Sequence, residues 1–302
     1  MISVRESARF ITSNPEFVSI DKASVSVVAQ KIFGHKFREP LLEHDQQLAQ
    51  SAKEETAMAC FLLDSLNFGI PYWSLVSVLK QAISESKKWL SPQFLSQLTR
   101  AEVLNLFLRG GTVSLLNERH TAIQEIGEGF KAGGEDGAWQ MIPDSFACVE
   151  TFLDTVVSRF PSFCDEAIYR GEKVGFYKRA QLLAMDLNLM VAVHGIVPFQ
   201  DLEKLTAFAD NALPRLLRDE GILIYSRNLA QRVDQGIALP AGSAEEVEIR
   251  GSTVQAVELL RIRLEAIGRQ MTSSQLDTIL WTEADQRKHM MKPSHRTVSI
   301  FY

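Results

Sequence analysis

Several short stretches of the sequence place polar groups where apolar residues dominate. One is Phe61-Leu-Leu-Asp64-Ser-Leu-Asn67-Phe68. Its acid and amide stand three residues apart on one helical face. Groups of this kind are costly to bury without partners. Either they cap and turn the chain before Gly69 and Pro71, or they form a polar pair facing a pocket. In a pocket, Phe68, Tyr72 and Trp73 could stack on a flat heterocycle. A second stretch is Phe176-Tyr177-Lys178-Arg179-Ala-Gln181. Cations at a helix start run against its dipole and require an anion. Asp186, about two turns along, is one answer, and a phosphate cradle is the other. In Leu205-Thr-Ala-Phe-Ala-Asp210, the residues Leu202, Leu205, Ala209, Ala212 and Leu213 read as a helical stripe that Pro214 ends or kinks. Asp210 would then lie near a helix C-terminus. A carboxylate set against local preference is a candidate functional residue, and an exposed turn or a cap is the plainer alternative. Glu245-Glu246-Val-Glu248-Ile-Arg250-Gly251 reads as a solvated charged face entering a helix. Pro293-Ser-His295-Arg296-Thr297 adds a basic spot.

The elements that must carry these residues are mainly helical. Leu75, Val76, Leu79, Ala82 and Ile83 follow helical spacing, and Pro92 bounds the segment. Ala101 to Leu108 reads as a short helix ending at Gly110-Gly111. Val254, Val257, Leu260, Leu264 and Ile267 form one stripe, with Gly268 as its C-terminal cap. Leu182 to Val193 is apolar nearly all round, as a buried helix is. Strand signals are few and each stands alone: Gly221 to Tyr225, Thr297 to Tyr302, and Val25 to Val28, which equally starts a helix. Without regular alternation of strand and helix a doubly wound sheet is disfavoured. The expectation is one mainly α domain over residues 1–302, or two helical lobes with a surface loop near 131–137.

Composition narrows the function. The 302 residues are 46% hydrophobic, which excludes disorder. There are 32 Lys+Arg against 37 Asp+Glu, a net charge of -5 that opposes coating of a nucleic-acid duplex. Three cysteines form no disulfide framework and suit a reducing cytoplasm. Residues 1–15 read as no signal peptide, and no window reaches the roughly 18 apolar residues of a membrane span. Gly127-Glu-Gly129-Phe-Lys-Ala132 imitates a dinucleotide loop but follows a helical stretch instead of a strand. The histidines lack the spacing of a zinc site, and no nucleophile elbow occurs.

Taken together, FLLDSLNF (61–68), FYKRAQLL (176–183), LTAFAD (205–210), EVEIRG (246–251) and the PSHRT ending resemble the queuosine salvage protein family, the queuosine 5′-phosphate N-glycosylase/hydrolases. The pieces occur in the family's order and span most of the chain. The resemblance implies a helical fold similar to DNA glycosylases. It implies hydrolysis of the N-glycosidic bond of queuosine 5′-monophosphate, releasing queuine for tRNA modification, with Asp210 as catalytic acid and no metal or organic cofactor. Such cleavage builds positive charge on the ribose, which a carboxylate can stabilise. Queuine has carbon where guanine has N7, so help for the leaving base would come from Asp64, Asn67 or Glu246. Phe68 or Trp73 would stack on the base. Lys178 and Arg179, with Tyr177 beside them and Arg296 from the C-terminal motif, would hold the 5′-phosphate. Many relatives continue Asp-Tyr-Arg and end the motif Pro-Gln, whereas this chain has Asn211-Ala212 and Pro214-Arg215. Gly69 to Tyr72 departs from their Cys-Phe-Trp.

Three rival readings remain at this level. A glycosylase acting on nucleic acid shares the fold class but not the charge balance. A relative acting on another modified nucleotide is compatible with the departures. A non-catalytic helical interaction protein explains the amphipathic stripes but not the clustered acid, cations and aromatics.

Overall fold

The computed structural model describes residues 1–34, 52–111, 114–132, 137–142, 148–196 and 199–302. Among them the chain is mainly α, with thirteen helices and four short strands. In order these are α1 (Val4–Ser13), β1 (Val18–Ile20), α2 (Lys22–Gly34), α3 (Lys53–Leu66), α4 (Tyr72–Glu85), α5 (Pro92–Ser96), α6 (Arg100–Leu108) and α7 (Leu116–Lys131). Then follow α8 (Val149–Arg159), β2 (Glu166–Tyr169), β3 (Glu172–Gly175), α9 (Lys178–Met190), α10 (Ala212–Asp219), β4 (Leu223–Tyr225), α11 (Arg227–Asp234), α12 (Ala244–Ala266) and α13 (Ser273–Arg287). The chain divides into two compact units, each assembled from separate segments. The first comprises Met1–Pro40, Asp165–Lys178 and Leu202–Ser299; the second comprises Leu41–Cys164, Arg179–Asp201 and Ile300–Tyr302. The loop expected near 131–137 falls within one segment of the second unit, and its residues 133–136 lie outside the described ones.

The first unit is built around α12. Ser243 caps this helix by accepting the N–H of Glu246, and buried side chains run from Glu246 through Val254. One core joins Val25, Ala29 and Ile32 of α2, Leu213, Leu216 and Leu217 of α10, Val257, Leu260 and Leu264 of α12, and Leu276 and Leu280 of α13. Helix α1 crosses α12 at Gly251, where a Cβ would come within 2.7 Å of Ile11. Only glycine permits that approach. Strands β1 and β4 pair antiparallel, with Ser19 opposite Ile224. Strands β2 and β3 form a hairpin. Its two turn residues, Arg170 and Gly171, both have positive φ, the geometry that matches hairpin twist.

Charge in this unit is buried to hold backbone. The Glu246–Gly251 segment lies inside α12, not ahead of it, and Glu246, Glu248 and Arg250 are buried instead of forming a solvated face. Fully buried Glu248 accepts N–H groups from Glu16 (2.9 Å), Phe17 (2.6 Å) and Val18 (3.0 Å), and the Tyr169 hydroxyl (2.8 Å). One carboxylate thus fixes the entry to β1 and the end of β2. Burial, then the Glu248 carboxylate, push the Tyr169 hydroxyl above its ordinary pKa.

In the second unit α3 is central, with every residue from Thr56 to Leu66 buried. Phe61 packs on Phe130, Phe160 and Phe152, with ring centroids 4.8, 5.8 and 6.4 Å away. Helix α7 meets α5 at Gly127, where a Cβ would lie 2.2 Å from the Ser96 nitrogen. The glycines at 127 and 129 are therefore helical packing residues and form no phosphate loop.

The periodic helices stand where their spacing placed them: α4 buries Leu75, Val76, Leu79 and Ala82, α6 ends at Leu108, and Gly268 follows α12 with φ +93°. Pro92 lies beyond the end of α4 and opens α5 at its first position, where a missing N–H costs nothing. Val25 to Val28 takes the helical one of its two readings, near the start of α2. Two expectations need correction. Thr297 to Tyr302 forms no strand; the neighbouring Arg296 makes a single bridge with Ala238. Leu202 to Leu213 is no continuous helix, because α10 begins only at Ala212.

Glu248→Gln leaves one acceptor oxygen for four donors. It should cost about 3 kcal/mol of stability, read by chemical denaturation at neutral pH.

Candidate active site

Residues 205–210 are buried but neither helix nor strand. Backbone groups in such a strap need partners from elsewhere. Arg5 supplies three bonds, from Nη1 to the Lys204 carbonyl (2.6 Å) and from Nη2 to those of Glu203 (2.8 Å) and Leu205 (2.9 Å). Asp277 Oδ1 accepts the Phe208 N–H at 2.7 Å. Arg250 Nε donates to the Ala209 carbonyl at 3.3 Å. Ionisable side chains from α1, α12 and α13 thus hold the strap that ends in Asp210.

Asp210 stands at the start of α10, not at a helix C-terminus. Its Oδ1 accepts the N–H groups of Ala212 (2.8 Å) and Leu213 (3.1 Å). A carboxylate there satisfies two donors that the helix cannot and sits at the favourable end of the dipole. Pro214 falls in the first turn, where its missing N–H removes no helical bond. The helix thus holds the carboxylate through Oδ1. The departures beside it have local roles. Asn211 is exposed at the cap position. Arg215 donates to the carbonyls of Lys288, Met291 and Lys292, closing the end of α13.

Asp210 and Lys178 are the two charged groups that act on Asp277. Asp277 on α13 is 5% exposed. Burial, and next the negative charge of Asp210, push its carboxyl well above the usual range, while the Phe208 N–H and the Lys178 charge oppose that. Lys178 is buried at the start of α9, and its backbone N–H reaches Asp165 Oδ2 at 3.3 Å. Tyr177 precedes it with φ 49°, a left-handed conformation rare outside glycine. The Tyr177 hydroxyl donates to Glu166 (2.5 Å) and accepts the Ile2 N–H (3.2 Å).

Arg250 links these parts. Nη1 and Nη2 grip both oxygens of Asp165 at 2.8 and 2.5 Å, with both side chains 3% exposed. Its guanidinium lies 4.0 Å from the Phe176 ring centre, and Glu246 approaches Nε at 3.7 Å. Glu246 also accepts the Gly242 N–H at 3.1 Å. Burial first, and then Arg250, hold the His295 imidazole down to about 4, so it is neutral at neutral pH. Arg296 is exposed, and its carbonyl accepts the Leu239 N–H at 2.8 Å.

The other sequence-read residues lie in the second unit. Asp64 is fully buried on α3, and Asn67 is the residue that ends that helix. The last carbonyls of α3 are taken by two arginines. Arg179 Nη1 donates to Ser65 (2.5 Å) and Asp64 (3.3 Å), and Nη2 to the Ser162 carbonyl. Arg119 donates to Leu66 (3.0 Å) and Phe68 (2.5 Å). Both guanidiniums stand over the Phe68 ring, 4.6 and 5.1 Å from its centre. Burial draws the Arg119 guanidinium down to about 10. Trp73 is half-buried in the first turn of α4, edge-on to Tyr72 at 5.0 Å. Among the described residues no group of three His, Cys, Asp or Glu is arranged to hold a metal ion.

Sequence reasoning passed over Asp277, Asp165, Arg250, Arg5 and Arg119 as site or scaffold residues. Asp277 had a visible signal: it shares the buried stripe of Ser273, Leu276, Leu280 and Ala284. Arg250→Met strands the buried Asp165 and should cost about 3–5 kcal/mol, whereas Asp165→Leu combined with Arg250→Met should regain most of that in denaturant melts.

Residues 47–302 match the sequence profile of the family described as queuosine salvage protein. A Sphaerobacter thermophilus protein named queuosine 5′-phosphate N-glycosylase/hydrolase is 32% identical over 317 residues, covering 100% of this chain and 98% of its own. The Mus musculus protein of the same name is 31% identical, covering 100% of this chain and 99% of its own. One from Schizosaccharomyces pombe is 23% identical over 95% of this chain and 92% of its own. With likeness of this extent, the chain belongs to the queuosine salvage protein family.

Proposed function

We propose that this chain hydrolyses the N-glycosidic bond of queuosine 5′-monophosphate, releasing queuine for reuse in tRNA. The observation that carries the reading is Asp210: a buried carboxylate, fixed by two helix N–H groups, at the end of a strap held by two arginines and Asp277. Relatives bearing the name queuosine 5′-phosphate N-glycosylase/hydrolase support the substrate. As the glycosidic bond lengthens, positive charge grows on the ribose. Asp210 Oδ2 stabilises that charge or takes a proton from the attacking water. A carboxylate already anchored through Oδ1 needs no reorganisation as the charge develops.

Lys178 supplies positive charge that acts on Asp277 and is the preferred holder of the 5′-phosphate, with Arg296 as a second cation. The guanidinium of Arg179 is committed to carbonyls at the end of α3, so its part is to hold the segment that carries Asp64 and Asn67. Reading of the base by Asp64, Asn67, Glu246, Phe68 and Trp73 belongs to the same proposal and rests on their motifs. Of the two aromatics, Trp73 is the better stacking face, because two guanidiniums already cover Phe68. A cytoplasmic setting belongs to the same proposal, supported by a sequence whose three cysteines are too few for a disulfide framework.

Asp210→Asn, with folding checked by circular dichroism, should lower queuine release from the monophosphate by about 10²-fold or more. Activity within a few-fold of the unaltered protein would sink the assignment. The unaltered protein should prefer the 5′-monophosphate to the nucleoside in kcat/KM, and Lys178→Gln should narrow that ratio. Equal efficiency on both substrates would remove the phosphate role.

A further inference from the structure

Asp277 serves no part in the reaction as described so far, yet it is among the most deliberately placed carboxyls in the first unit. It is the one ionisable group on the buried stripe of α13 and is itself almost wholly buried. A single charge set there without strong compensation is costly. Its Oδ1 bonds the N–H of Phe208, two residues before Asp210. The charged groups that act on it are Asp210 and Lys178. The short helical turn at 202–204, which also packs against α13, carries Glu203 and Lys204, both exposed, and several other charges on the neighbouring elements have partners elsewhere. Arg215 closes carbonyls at the end of α13, Arg218 pairs with Asp234, and Arg287 pairs with Asp219 and Glu220. Glu258 meets Arg5, Arg261 and Ser273, and Arg250 grips Asp165.

We propose that Asp277 is a positioning residue for Asp210: the proton-carrying member of a carboxyl pair, which anchors the strap through Phe208 and leaves Asp210 as the anion. The two environments divide the roles. Asp210 is held by two helix N–H donors at the start of α10. Asp277 has one N–H donor and deep burial, which favour its neutral form. A protonated carboxyl still accepts the Phe208 N–H through its carbonyl oxygen. It adds no second negative charge beside the reacting one. When Asp277 ionises at high pH, that repulsion appears and burial of the new charge strains the strap. The inference rests on Asp210 being the reacting carboxylate, but its central readouts do not depend on turnover.

The sign of the linkage follows. A carboxyl whose folded pKa is raised contributes stability that is full below its unfolded value and is lost as pH rises through the folded one. Asparagine keeps the acceptor oxygen and cannot ionise. The melting temperature of Asp277→Asn relative to the unaltered protein should therefore climb as pH rises from 4 toward 8. Its kcat should fall a few-fold at neutral pH, with KM little changed, and its alkaline limb should move to higher pH. Asp277→Ala, which strands the Phe208 N–H, should lose far more of kcat than Asp277→Asn. A melting difference that stays flat with pH, an unmoved alkaline limb, or equal losses in the two variants would overturn the proposal. Infrared spectroscopy decides the matter if neither variant folds. The unaltered protein should show a protonated-carboxyl band at neutral pH that in Asp210→Asn disappears at lower pH, because the neighbouring charge is gone. A band that titrates identically in both proteins would refute the pairing. Should Asp210→Asn remain active while the band shifts, the reaction assignment falls and the carboxyl pair stands.

Discussion

A buried backbone that is neither helix nor strand has no partners of its own, and the strap at residues 205–210 is such a backbone. Its N–H and carbonyl groups must be met by side chains that can reach inward and carry strong donors or acceptors. Arg5, Arg250 and Asp277 do this, and each comes from a different helix. The arginine bonds among them are charge-assisted, which gives more hold per contact than a neutral pair would. Much of the first unit can be understood as the support those three residues need. Arg5 is steadied by Glu258, Arg250 by Asp165 and Phe176, and Asp277 by the packed stripe of α13.

Arg250 has the widest reach. It touches the residue before Asp210 through one carbonyl, and through Asp165 it touches the backbone of Lys178. The proposed anion and the proposed phosphate-holding cation are thereby referred to one guanidinium. A planar fork with fixed donors can serve three directions at once, which a lysine ammonium cannot do with the same geometry. The second unit repeats the principle on its own terms, with Arg119 and Arg179 closing the carbonyls that end α3.

Helices with a clean apolar period were legible in the sequence, as in α4, α6 and α12, because their partners lie within a few residues. The motif ending in Asp210 was legible as a motif, but its helix end was reversed. Pro214 reads as a terminator, whereas a proline in the first turn is equally allowed. The charges of Glu246, Glu248 and Arg250 look solvated when read locally. Asp165 lies 85 residues from Arg250, and Phe17 lies 231 residues from Glu248, so no local pattern shows that they are paired. The same distance hides β4 from β1. The segment near Gly221 stood alone in the sequence only because its strand partner is Val18 to Ile20. Asp277 could have been found, since a carboxylate on a buried stripe is a local anomaly.

These separations bear on how the protein forms on the ribosome. Arg5 finds Glu258 across 253 residues, and the β1 entry finds Glu248 across more than 230. At about 5–20 residues per second of synthesis, the N-terminal helix and strand wait on the order of ten seconds or more for their partners. During that interval Ile11, Val18 and Val25, which end up buried, have no core of their own to enter. The first unit is thus begun early and closed among the last, a high-contact-order assembly whose apolar N-terminal segment waits for α12 before it can be buried.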